Sequence, residues 1–425
     1  MESLLCAAWF HGPVTRGSLA AIDDHTRGQG SVALVLPDGS VLGPRDARAR
    51  LLVRSRDALR RIVTAPSELG FARAYVAGEI DIDGDLYAAL PALLELTSKR
   101  ELARLWLGAA RAVGARGLRP LAPPPEEVRL RGRRHTRARD AAAISHHYDV
   151  SNAFYRLVLG PSLTYSCAVF ERADATLEEA QAAKHELVRR KLGLEEGMRV
   201  LDVGCGWGSF LLHAGERHGV RGVGVTLSER QAELARERVA QAGLGDRIEI
   251  RLADYRDVRD GPFDAISSIG MFEHVGLARL GVYFTRLHEL LRPGGRLLNH
   301  GIARPPGRRP IRRNTFVGRY VFPDGELHEV GAVVSGVQKV GFEVRHTESL
   351  REHYALTLRA WVRNLEANWD EAIAEVGAAR ARVWRLYMAG SALGFEAGRL
   401  QVHQVLAVRP SAGRSGMPLR PGRWC

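Results

Sequence analysis

Cysteine is scarce. The 425 residues hold four, Cys6, Cys167, Cys205 and Cys425, without metal-ligand spacing or a paired framework. That argues against a disulfide scaffold and for a reducing compartment. Long apolar runs are missing as well, and none approaches the roughly 20 residues that span a bilayer. The start, MESLLCAAWFHGP, has no basic lead and only a short apolar run, unlike a signal peptide. The expectation is a soluble or peripheral protein. Lysine is nearly absent, because only four of the 61 Lys+Arg residues are lysine, against 48 Asp+Glu. The resulting formal charge of +13 attracts polyanions, whether nucleic acid, anionic lipid or phosphorylated ligands. No internal repeat and no aromatic-basic RNA module is visible, so nucleic acid is not expected as a partner.

What is present divides the chain into four parts. Residues 1–105 read as a small α+β domain. SVALVLPDGSVL gives two short strands around a Pro-Asp-Gly turn. LGFARAYVAGEIDIDGDLYAALPALLEL gives a helix, an acidic turn and a second helix. Residues 106–140 read as a stiff linker with three successive prolines, followed by Arg129, Arg131, Arg133, Arg134, Arg137 and Arg139. Those arginines are either a solvated tether or a patch for an anionic surface. From 141 to 410 strands and helices alternate. MRVLDV, VRGVGVT, RIEIRLAD, FDAISSIG and RPGGRLLNHGI read as strands, which predicts a parallel sheet covered on both faces. The detour ARPPGRRPIRRNTFVGRYVFPDGELHEV precedes the last helices and strand. Residues 411–425 read as a basic, flexible tail.

Ligands of such sheets bind beyond the carboxyl ends of the strands, which places Gly204, Thr226, Asp254, Glu273 and His300 at one edge. VLDVGCGWGSF offers G-x-G-x-G at Gly204, Gly206 and Gly208. Ser209 stands where a dinucleotide fingerprint needs glycine, and no Gly-Lys-Ser/Thr occurs for phosphates. Asp202, just before the loop, suits a ligand with a positively charged amino-acid end. The loop resembles the S-adenosylmethionine loop of class I methyltransferases. The second strand ends at Thr226 without the acid many methyltransferases place there for the ribose, so Thr226 and Gln231 are the polar candidates. Asp254 is a candidate for the adenine amine. Tyr255 either covers the adenine face or is a core or rim tyrosine. Glu273 lies in the apolar run SSIGMFEHVG, where an unpaired carboxylate is costly. His300 ends the fifth strand. Each alone is more often structural; together beside the loop they can hold and orient a base. Glu273-His274 lacks a second ligand at helical spacing, so no metal is expected.

Eight ordered segments carry a closer resemblance: HHYDVSNAFYRLVLGPSLTYSCAVF, VLDVGCGWGSF, GVTLSERQ, DYRD, SIGMFEHVG, NHGI, RYVFPDGELHEV and HYALTLRAW. From about residue 141 to 408 the chain resembles the cyclopropane-fatty-acyl-phospholipid synthase family, which includes the mycolic acid methyltransferases. The first hundred residues resemble the lipid-associated N-terminal domain of longer bacterial members. The resemblance implies an α/β fold, a Rossmann-like class I methyltransferase sheet with a helical lipid-binding cap. It implies transfer of the S-adenosylmethionine methyl to a cis double bond of an unsaturated phospholipid acyl chain, with a bound bicarbonate ion accepting the proton. The bicarbonate would lie against the backbone of Cys167 and Ile302, with Glu273, His300 and Tyr354 around it. The cofactor would touch Tyr165, Ser166, Gly204, Gly206, Thr226, Leu227, Gln231, Tyr255 and Ile269. The implied setting is cytoplasmic, at the inner face of an anionic membrane, and a homodimer stays open. Many members carry a cysteine where this chain has Ser391, so no role of that cysteine applies here.

An alkene is a poor nucleophile, so its attack on a sulfonium methyl depends on positioning. The carbocation that results must be kept from water. Phe154, Tyr155, Phe170 and Phe272 could face that cation or simply pack a core. Ring closure to a cyclopropane is the leading expectation. The rivals are a methylene-bearing chain leading to a methyl branch, a methyltransferase of small molecules or nucleic acid, and a non-catalytic lipid binder.

Overall fold

The computed structural model describes residues 32–65, 67–96, 119–128, 139, 150–307 and 314–419. By contact the chain divides into two units. One comprises 1–129, 312–321 and 377–390, the other 130–311, 322–376 and 391–425. The expected tract at Arg129, Arg131, Arg133, Arg134 and Arg137 and most of GRRPIRR lie outside the described residues, as do Cys6, Cys425 and the HHY of the first motif.

In the first unit, β1 (Val32–Val35), β2 (Val41–Leu42), β3 (Ala49–Val53) and β4 (Ile80–Gly84) form a sheet ordered β2-β1-β3-β4. Gly39, at a φ of 82°, turns β1 into β2 through the Pro-Asp-Gly tip. Between β3 and β4 run α1 (Arg56–Thr64) and α2 (Glu68–Val76), and α3 (Leu86–Leu96) follows β4. The acidic stretch IDIDG is a strand rather than the expected turn. Ile80 and Ile82 alternate with Asp81 and Asp83, so the isoleucines are buried and the period is two. Part of the expected linker belongs to this unit. Glu127 is buried and takes two bonds from Arg73 at 2.7 and 2.8 Å, while the Arg61 guanidinium donates to Ala122 O.

The second unit holds a seven-stranded sheet. Its strands are β5 (Arg199–Val203), β6 (Arg221–Thr226), β7 (Ile248–Leu252), β8 (Phe263–Ile269), β9 (Leu291–Ala303), β10 (Glu343–Ser349) and β11 (Gln401–Val408), ordered β10-β11-β9-β8-β5-β6-β7. β5 to β9 are parallel and β11 is antiparallel to both neighbours. The five expected strands are present. The chain adds β10 beside the final strand, giving two late strands where one was expected.

The covering helices are α4 (Asn152–Leu159), α5 (Leu177–Leu192), α6 (Ser209–His218), α7 (Glu229–Gln241), α8 (Leu280–Leu290), α9 (Val330–Lys339) and α10 (Arg351–Ala367). Alternation assigns the faces. Leu201, Val203, Val223 and Val225 join a cluster with Tyr283, Phe284, Leu287 and Val337. Val200 and Ile250 join Val188, Leu211 and Ala235 on the other side. The two glycines of VRGVGVT admit α6. A Cβ at Gly222 would stand 2.7 Å from Leu211, and one at Gly224 2.9 Å from Leu211 and from the Cys205 sulfur. α5 begins with a capping box between Thr176 and Glu179 and ends at the left-handed Gly193.

Two expectations at the margins change. Arg139 is not solvated: its guanidinium grips Asp324 through bonds of 2.5 and 2.8 Å, and both side chains are nearly buried. Residues 411–419 form turns, and Met417 packs on the apolar cluster under α5 and α6, because that cluster offers a thioether more burial than solvent does.

Candidate functional site

The strand order reverses at β5, which pairs with β6 on one side and β8 on the other, so a crevice opens beyond their carboxyl ends. The glycine loop lies there. Gly204, Gly206 and Gly208 have φ of 79°, 56° and 76°, a left-handed region that disfavours other residues. The Gly204 and Cys205 N–H groups both donate to Val225 O, at 2.9 and 3.0 Å, tying the loop to β6. Trp207 fixes its far side: the indole N–H donates to Asn152 Oδ1 at 2.9 Å, and the ring packs 4.7 Å from that of Tyr155.

The cleft above the loop has an empty volume of about 940 Å³, counting the solvent at its mouth. Its walls include Tyr165, Ser166, Asp202, Gly204, Gly206, Thr226, Leu227, Gln231, Tyr255 and Ile269. The Thr226 hydroxyl donates to Gln231 Oε1 at 2.8 Å, which leaves the Gln231 amide N–H groups to donate where an acid would accept. Tyr255 lines the cleft and also meets Tyr283 edge-on at 5.1 Å. Asp254 does not line the cleft. Its Oδ1 accepts from the Arg256 N–H and Nε at 2.9 and 2.8 Å, and its Oδ2 from Nη2 at 2.5 Å. It therefore caps the turn after β7.

Lys184 on α5 also lines the cleft and was not anticipated. Its Nζ donates to Ser166 Oγ at 3.1 Å. Burial lowers the Lys184 pKa and raises that of Asp202, and the attraction between the two opposes both shifts. The available signal was a lysine among arginines in KHELVRRKL.

Beside the cleft the acid, the histidine and TYSCAVF converge through the backbone. Glu273 sits on a 3-10 turn over Phe272–His274, and its Oε1 accepts from Ile302 N–H at 2.6 Å. Its Oε2 is buried without a partner. Burial pushes the carboxyl up to about 7, against the lowering effect of the Ile302 bond. His300 precedes Ile302 by two on β9, so both face the same side of the sheet. The His300 O accepts from Gly270 N–H at 2.8 Å, joining it to the end of β8. Burial, reinforced by Lys184 and Lys191, depresses the imidazole to about 3, which keeps it neutral. Its Nε2 is buried and unpartnered.

Ile302 pairs with Val402, whose O accepts from Leu350 N–H, and the Cys167 sulfur lies 3.6 Å from Leu350 O. Tyr354, one turn into α10, packs on Phe395 at 4.8 Å and on Trp361 at 6.0 Å; Trp361 in turn meets Tyr165 at 5.3 Å. Cys167, Glu273, His300, Ile302 and Tyr354 are thus linked around one strand end. Burial drives the Cys167 thiol far up, so it is no nucleophile. The Ile302 N–H, which the resemblance sets against an anion, donates to Glu273 in this structure.

Of the four aromatics, none lines the cleft; Phe154, Tyr155 and Phe272 are buried in packing. Glu186, His213 and His218 are near enough to share an ion, yet the Glu186 carboxylate is already held by Arg189 and Arg190.

A sequence model of the mycolic acid cyclopropane synthetase family matches residues 135–405. A probable fatty acid methyltransferase of Mycobacterium tuberculosis is 48% identical over 406 residues, covering 93% of this chain and 95% of the relative. A tuberculostearic acid methyltransferase of the same organism is 36% identical over 392 residues, covering 88% and 87%. Among solved structures, a mycolic acid cyclopropane synthase complexed with SAH and CTAB aligns with a TM-score of 0.59 and 38% identity, over 63% of this chain and 97% of the other.

Proposed function

Because the chain belongs to the mycolic acid cyclopropane synthetase family, we propose that it methylates a cis double bond of an unsaturated phospholipid acyl chain and closes a cyclopropane ring. The observation that carries this is the pair of buried, unpartnered polar atoms, Glu273 Oε2 and His300 Nε2, next to a cleft whose walls suit an amino acid and a nucleoside. S-adenosylmethionine, when bound, supplies an electrophilic methyl group; the solved relative with SAH supports that choice of donor.

The chain's own residues divide the work. Asp202 offers a carboxylate for an amino-acid ammonium group, and the left-handed loop lets the ligand approach backbone N–H groups. Gln231 donates to hydroxyls, and Tyr255 provides a ring face. Holding donor and alkene in line replaces intrinsic nucleophilicity. The unpartnered Nε2 and Oε2 fit an exchangeable small anion such as bicarbonate. His300 would donate to it, and Glu273, close to half-protonated near neutral pH, would share a proton with it. Such an anion supplies a weak base that S-adenosylmethionine cannot alkylate as it would a thiolate. Buried apolar and aromatic side chains keep water from the cation.

A second reading has its own support. The relatives that span nearly the whole of this chain are named fatty acid and tuberculostearic acid methyltransferases, whereas the solved cyclopropane synthase covers 63% of it. A 1,2-hydride shift that moves the cation onto the methylated carbon, followed by loss of a proton from the new methyl group, would then leave a methylene group. The experiment is incubation of the full chain with S-adenosylmethionine, bicarbonate and vesicles of a cis-monounsaturated anionic phospholipid. Mass analysis should find one CH2 gained per acyl chain. Upfield ring protons would support cyclopropanation, vinylidene protons the second reading, and no gain would reject both.

A further inference from the structure

Lys191 is one of four lysines in the chain and is completely buried near the end of α5. Its Nζ donates to Gln404 Oε1 at 2.7 Å and also pairs with Glu348. Gln404 occupies the centre of a row across three strands. It stands opposite His300 in the β9–β11 register and opposite Glu348 in the β10–β11 register. Its Nε2 lies 3.2 Å from His300 Nδ1.

The hydrogen-bonding capacities of these groups leave one consistent arrangement. An ammonium group only donates, so the Gln404 carbonyl must face Lys191. The amide NH2 then faces His300, and it too only donates. Nδ1 must therefore accept. A neutral imidazole carries one proton, which must sit on Nε2, the nitrogen that is buried without a protein partner. Glu348 balances the buried ammonium charge. The other titratable groups near this row are Lys184 and His403, which act on His300, His346, which feels Lys191, and His353, which feels Glu348; burial lowers the pKa of all four.

We propose that Lys191 and Gln404 are positioning residues that lock His300 in its Nε2–H tautomer, presenting that proton as a donor to the anion or substrate at the site. This rests on the reading of His300 as part of the reaction centre. No other described group holds Nδ1, so the tautomer depends on the amide, and the amide on the lysine.

The test is a multiple-bond proton–nitrogen correlation spectrum of the full chain labelled with nitrogen-15 histidine, with the His300 signals identified by their loss in His300→Gln. Wild type should give a protonated Nε2 and an unprotonated Nδ1. Gln404→Glu keeps an oxygen for Lys191 but turns an acceptor toward Nδ1, so the proton should move there. Because a wrong tautomer is costly elsewhere, kcat should fall at least ~100-fold, with cofactor Kd unchanged within about twofold. Lys191→Met, which frees the amide to rotate, should give mixed tautomers and an intermediate kcat. A protonated Nδ1 in wild type would overturn the proposal whether or not any variant folds. So would a tautomer unmoved in Gln404→Glu, or one that moves with kcat intact. The spectrum is read without turnover, so absence of acyl methylation would reject the functional reading while leaving the tautomer lock to be judged separately.

Discussion

Glu273 and His300 are displaced in opposite directions by one cause, burial, and each displacement lowers stability in a different pH range. The Glu273 carboxyl, ordinarily near 4.5, titrates at about 7 in the folded chain. Between those values the folded state binds the extra proton, so stability declines as pH rises through this window and stays lower above it. Glu273→Gln removes that decline. The Tm of the variant relative to wild type should therefore increase from pH 5 to pH 8, by the equivalent of about 1–3 kcal/mol in calorimetry. His300, depressed from 6.5 to about 3, behaves oppositely. The unfolded chain protonates first, so stability is lost as pH falls through that window, and His300→Gln should gain relative stability at pH 4.5 over pH 7.5. Both variants should keep cofactor affinity by calorimetric titration and lose about 10²–10⁴-fold in turnover. Loss of cofactor binding instead would show the two residues to be structural. Sequence reading located this pair from their apolar surroundings at strand ends. It did not foresee that the arginine two residues on pairs with the Asp254 carboxylate, and it missed Lys184, because burial of one lysine leaves no periodic mark.

At the scale of elements, two glycines separate cofactor binding from placement of the acid. A Cβ at Gly206 meets no protein atom within 4 Å, so Gly206→Ala crowds the contents of the cleft rather than the core. Its left-handed φ adds about 1–2 kcal/mol of strain. The expected result is a folded protein whose S-adenosylmethionine Kd rises at least ~10-fold by titration calorimetry. Gly301 differs. A Cβ there would stand 1.9 Å from the Phe272 ring, in the turn that carries Glu273. Gly301→Ala should lower stability by roughly 1–3 kcal/mol in urea unfolding. It should reduce kcat more than cofactor affinity, because the displaced ring moves the acid and not the loop. The Gly204–Gly208 loop was legible from its spacing. The demand at Gly301 was not, because it comes from a side chain 29 positions earlier that only the β8–β9 pairing brings close.

At the scale of the whole molecule, the formal charge of +13 predicts a salt-dependent attraction to anionic lipid. Each basic residue near such a surface contributes on the order of 1 kcal/mol, screened within a Debye length. Sedimentation with anionic vesicles should weaken at least ~10-fold between about 50 and 300 mM salt, and neutral vesicles should bind little; salt-insensitive binding would reject this electrostatic attachment. The sequence by itself determined the strand–helix alternation, the glycine loop, the family and most of the cleft wall, because these depend on short-range period and local backbone demands. Tertiary structure alone decided the rest. It folded later segments into the first unit, buried Arg139 against Asp324 from 185 positions away, spent Ile302 N–H on Glu273, and lined up Glu348, Gln404 and His300 across three strands. Each of these depends on which strand lies beside which, and a hydrogen-bonding partner set by strand order leaves no local pattern in the chain.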